Sequence, residues 1–77
     1  MRANRAYHLI HTRGSLRPAR LADERLDLIE LVCIDDGEVV LFWELPARDA
    51  VSRLRSVRTD MASLHADAFL AKWEGVQ

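Results

Sequence analysis

Apolar and polar positions along this chain change period near residue 46, and the change divides the sequence into a strand-like part and a helical part. Ala50, Leu54, Val57, Met61, Leu64, Ala68 and Ala71 recur alternately four and three residues apart, the spacing of one helix face. No glycine or proline interrupts the stretch between Pro46 and Trp73, and Gly75 follows as a terminator. Pro46 suits a first helical turn, where its missing N–H is not needed, and Asp49 suits the positive pole of the helix. The pattern predicts one long amphipathic helix near residues 46–74. Phe69, Leu70 and Trp73 fall off its apolar stripe.

Before Pro46 the apolar residues are β-branched or aromatic and come in short runs. Residues 26–34 and 38–45 read as two strands joined by Asp35-Asp36-Gly37, a strong hairpin signal. A two-residue loop would set Asp35 opposite Glu38, an unfavourable like-charge pair. A three-residue loop with a left-handed Gly37 sets Ile34 opposite Glu38 instead. That register puts Ile29, Leu31, Cys33, Val39, Leu41, Trp43 and Leu45 on one dry face. Leu28, Val32, Ile34, Val40 and Phe42 share the other with Glu30, Glu38 and Glu44. Residues 5–12 read as a weaker strand, with Tyr7, Leu9 and His11 on one face and His8, Ile10 and Thr12 on the other. Residues 13–25 read mostly as loop.

The fold class expected is therefore α+β: an antiparallel β-meander packed on one long C-terminal helix, within one small domain spanning residues 1–77. A helix over residues 46–73 would be about 42 Å long. A compact chain of 77 residues is only about 30 Å across, and its strands reach about 27 Å. Either the helix breaks near Thr59-Asp60 and folds back, or a second copy covers the overhang. A continuous helix completed by homodimerisation is the expectation.

Composition adds a segregation of charge. The net charge of −1 offers no overall field for nucleic acid or an anionic membrane. Residues 1–25 nevertheless sum to +4, residues 26–50 to −6 and residues 51–77 to +1. A basic arm thus precedes an acidic hairpin, and the two can neutralise one another. The apolar runs are too short to cross a bilayer, and the first residues lack the apolar core of a secretory signal. With Cys33 as the single cysteine, a reducing cytoplasm is the expected home.

Candidate chemistry is sparse. His8 and His11 leave opposite faces of a strand, so they do not converge as metal ligands. Cys33 lies among Val32, Ile34 and Asp35, surroundings of a structural rather than a reactive thiol. Glu30, Glu38 and Glu44 share a sheet face but lack a pocket to tune them, and read as a solvated face. No phosphate loop or nucleophile motif occurs, and no cofactor or metal is expected. What remains is a non-enzymatic interaction or scaffolding module, self-associating through the C-terminal helix, with Leu64, Phe69, Leu70 and Trp73 as its contact residues. The alternative is a small nucleic-acid-associated regulator that clamps phosphates with Arg2, Arg5, Arg13, Arg17 and Arg20.

Overall fold

The computed structural model describes residues 1–14 and 25–76. Its elements are α1 (Ala3–Ala6), β1 (Tyr7–Thr12), β2 (Leu26–Cys33), β3 (Val39–Pro46), α2 (Ala47–Ser63) and α3 (Ala66–Trp73). The strands form one antiparallel sheet in the order β1-β2-β3, the expected meander. Most of the expected loop over residues 13–25 lies outside the described residues.

The hairpin follows the pattern of its sequence. Ile29 pairs with Trp43 and Leu31 with Leu41, the main register that the three-residue loop predicts. Gly37 has φ 74°, a left-handed conformation open to glycine at little cost. Near the loop the register slips by one. Val32 pairs with Val39, so Val40 is left over as a bulge, and the Cys33 N–H donates to Glu38 O. Val39, expected on the dry face, is consequently exposed. Ile29, Leu31 and Trp43 are buried beneath the sheet, and Leu41 and Leu45 pack against them.

The long helix is where expectation and structure part. α2 ends at Ser63, so the helix is not continuous to residue 74. Leu64 and His65 are both extended, with φ/ψ of −106°/149° and −68°/155°, and α3 begins at Ala66. The break is four residues beyond Asp60. Neither glycine nor proline marks it; bonds from residues 1–3 meet the backbone there. The Ala3 N–H donates to Leu64 O, the Ala66 N–H donates to Met1 O, and the Arg2 guanidinium donates to Ser63 O. Helix carbonyls and N–H groups released by the break thus find partners. Thr59 and Ser63 bond back to the carbonyls of Arg55 and Thr59, a habit that bends helices.

The break resolves the length conflict within one chain. At about 1.5 Å per residue, the 17 residues of α2 span about 25 Å, close to the reach of an eight-residue strand. α2 buries Ala50, Leu54, Val57 and Met61, the expected stripe. α3 then turns a different face inward: Phe69 and Trp73 are buried while Ala68 and Ala71 are exposed. The expected stripe therefore loses phase at the corner.

A polar and aromatic cluster pins α3 in place. The Trp73 indole N–H donates to Asp60 Oδ2 at 3.0 Å, and Lys72 pairs with the same oxygen at 2.6 Å. The Trp43 indole N–H donates to Val76 O, and the two indoles meet edge to face at 5.9 Å. The Arg53 guanidinium sits 5.1 Å from the Trp43 ring and 5.8 Å from that of Trp73. One of its terminal nitrogens is buried without a hydrogen-bond partner, and the two ring faces supply the attraction instead.

His65 offers a direct test of the corner. Its φ already suits proline, the extended Leu64 suits a residue before proline, and its N–H donates to no described backbone carbonyl. His65→Pro is expected to change unfolding free energy by less than about 1 kcal/mol. In a continuous helix the same change would cost about 3 kcal/mol or more, which urea denaturation distinguishes.

Candidate functional site

The expected contact residues do not form a surface. Phe69 is fully buried and Trp73 nearly so, while Leu64 and Leu70 are half-buried and pack against the same core. The corner folds the aromatic cluster onto its own sheet, with Tyr7 lying 5.9 Å from Phe69. Phe69 and Trp73 are therefore spent inside the chain as core residues.

The apolar surface lies elsewhere. The helices that pack on the sheet cover one face, and on the other side chains alternate outward from all three strands. Ile10, Val40 and Phe42 are exposed there, with Ile34 and Val39 near the hairpin loop. Phe42 stands 67% exposed. Its cross-strand neighbour is Glu30, and Glu44 follows two residues on. Among the described residues β3 also pairs with β2 alone, so its far side is an edge of the described sheet. A groove of about 440 Å³ follows residues 40–45 and is bordered by Glu74 and Val76.

A second feature sits at the opposite end of the strands. Asp27 is fully buried, the single buried charged residue described. Its position in β2 shares parity with Ile29 and Leu31, which turns a carboxylate toward the core. Four groups satisfy it. His11 Nε2 lies 2.8 Å from Oδ2, and the Gly14 N–H donates to Oδ1 at 3.1 Å. Arg25 donates through Nε to Oδ1 at 3.0 Å and through a terminal nitrogen to Oδ2 at 3.3 Å. Burial alone would push the Asp27 carboxyl up, but the bonds from Gly14, His11 and Arg25 outweigh it and hold it below its ordinary 3.8. An ionised carboxylate only accepts, so the shared proton resides on His11 Nε2.

Beyond this network lies a cleft of about 450 Å³, lined by His11, Arg13, Val51, Leu54, Arg55, Arg58 and Thr59. The described arginines of the expected clamp line two separate clefts. Arg13 joins Arg55 and Arg58 in this cleft. Arg2 and Arg5 line a different one with Met1, Asn4 and Ala62, and Arg2 is bonded to Ser63 O. Arg17 and Arg20 lie outside the described residues. His8 is exposed on the opposite sheet face from His11. Among the described residues no three His, Cys, Asp or Glu side chains gather as for a metal ion, and no helix is long and apolar enough to cross a membrane. Comparison with known protein families, curated proteins and solved structures finds no match to this chain.

Asp27 makes stability depend on acid in a defined direction. Because its pKa is lower folded than unfolded, its contribution is complete above about pH 4 and is lost as pH falls through the folded value. Asp27→Asn is expected to cost about 3 kcal/mol at neutral pH, the scale of breaking a buried ion pair. The gap between wild type and variant should narrow as urea unfolding is repeated toward about pH 2.5. A gap unchanged with pH would show that the ionised form is not the stabilising one.

Proposed function

We propose that this chain is a non-enzymatic interaction module that self-associates by pairing β3 with β3 of a second copy. The observation that carries the reading is Phe42, a large aromatic side chain 67% exposed on what is, among the described residues, an edge strand. Monomeric domains blunt such edges because their free N–H and C=O groups recruit another strand. Here the bulge at Val40 and Pro46 restrict the edge at its two ends and leave Leu41–Leu45 open between them.

A two-fold axis through Phe42 gives a favourable antiparallel register. It sets Phe42 beside Phe42 of the second copy, Leu41 against Trp43, and Glu44 against Val40. No carboxylate faces a carboxylate across the new pair, and Glu30 stays one strand away from it. Stacking two outer faces is less favourable, since Glu30 sits in the middle of that face and would be desolvated. Pairing through the edge removes the exposed backbone groups and part of the Phe42 ring from water at once, and the sheet becomes six-stranded. This is strand addition, a recurrent mode of protein recognition.

Light scattering at micromolar concentration is expected to give the mass of a dimer. Phe42→Asp, which leaves the core untouched, should give a folded monomer with an unchanged far-ultraviolet dichroism spectrum. A monomeric wild type, or a dimer that survives Phe42→Asp, would refute pairing through β3.

A further inference from the structure

The cleft between the end of β1 and the flank of α2 has a charge balance that the proposed self-association leaves unused. Three of its lining residues are arginines. Arg55 and Arg58 come from one flank of α2, three residues apart, and Arg13 follows β1 directly. Asp27 is the carboxylate of the adjoining network, and its oxygens are already taken by His11, Gly14 and Arg25. The ion pairs formed among the described residues are His11–Asp27, Arg25–Asp27 and Lys72–Asp60, so none of them neutralises Arg13, Arg55 or Arg58. Arranging three like charges around one concavity costs free energy unless an anion occupies it.

We propose that this cleft binds a phosphate monoester. Guanidinium groups offer paired N–H donors that match phosphate oxygens, and three of them balance a dianion better than the single charge of a phosphodiester. His11 borders the cleft, its ring held in place by the Nε2–H bond to Asp27. The Thr59 hydroxyl borders the cleft with its hydrogen given to Arg55 O, so the phosphate oxygens are left to the guanidinium groups. Val51, half exposed, and Leu54 give the cleft an apolar wall. A volume of about 450 Å³ falls within the usual range for small-molecule sites. The ligand class is thus a small phosphorylated molecule with an apolar or aromatic body. A continuous nucleic-acid backbone fits less well, because the other arginine pair, Arg2 and Arg5, lines a separate cleft.

The site was hidden in the sequence because its parts come from two segments some forty residues apart. Arg55 and Arg58 look like solvated helix charges, Arg13 like part of a basic arm, and His11 like an exposed strand residue.

Nuclear magnetic resonance titration of the full chain tests the assignment, with phenyl phosphate, inorganic phosphate and a single-stranded oligonucleotide as separate probes. Phenyl phosphate is expected to shift the amides of Arg13, Val51, Arg55 and Thr59 saturably. Arg55→Ala with Arg58→Ala, both at exposed positions, should weaken that binding at least tenfold, while Arg5→Ala leaves it unchanged. Inorganic phosphate should compete for the same amides. Tighter binding of the oligonucleotide, absence of saturable shifts, or equal loss in Arg5→Ala would overturn the proposal.

Discussion

Three N-terminal residues hold the corner at Leu64–His65, and the rest of the packing depends on their grip. Met1 and Ala3 meet the backbone on either side of His65, and Arg2 reaches Ser63 O. Without these bonds the local sequence opposes the continuation of α2 only through the bending bonds of Thr59 and Ser63. Its continuation would carry Phe69 and Trp73 past the end of the sheet into water. With them, α3 turns back, Ala3 itself is sealed from solvent, and Phe69 becomes the largest fully buried side chain described. Burying side chains of this size contributes on the order of 2–3 kcal/mol each, more than two backbone hydrogen bonds at about 1 kcal/mol net apiece. The bonds choose the geometry; the aromatic rings supply the free energy.

Two carboxylates then anchor opposite parts of the molecule by different means. Asp60 ties α2 to α3 near the surface. Lys72, opposed by partial burial and joined by the Trp73 indole, holds its carboxyl below the usual range. With the Lys72 side chain more than half exposed, the pair contributes modestly, and its value is in orienting the indole. Asp27 sits in the core and fastens β1, β2 and Gly14 together at the other end of the sheet. It is fully satisfied, which is the condition under which a buried charge is tolerated at all.

Local signals were enough for the sheet. Alternation and the Asp-Asp-Gly turn placed three strands, their order and the main register, because strand faces and hairpin loops are short-range matters. The corner was not legible in the same way, since its cause lies more than sixty residues away in sequence, in the bonds of Met1 and Ala3. One sign of it was present. Phe69 and Trp73 sit four apart and off the stripe of Ala50 to Met61, and large aromatic residues seldom abandon an apolar face without another to join. Asp27 carried a comparable sign, a charge at the parity of Ile29 and Leu31. Its partners, Gly14 and His11, sit across a loop whose path no periodicity reveals. The clustering of Arg13 with Arg55 and Arg58 is likewise a product of tertiary folding alone.

The same corner bears on how the fold comes into being during synthesis. Residues 1–3 are made some sixty residues before their hydrogen-bonding partners, residues 63–66. The hairpin and the start of α2 can assemble as they emerge, through contacts close in sequence. Closure of the core waits for Trp73, and the entropic cost of joining the two ends is met only then. Until that moment the nascent chain carries Val39 to Trp43 with an incomplete covering, a run of high strand propensity and no charge. The arrangement that closes the core across the length of the domain therefore makes its last-formed contacts the ones most exposed to misassembly.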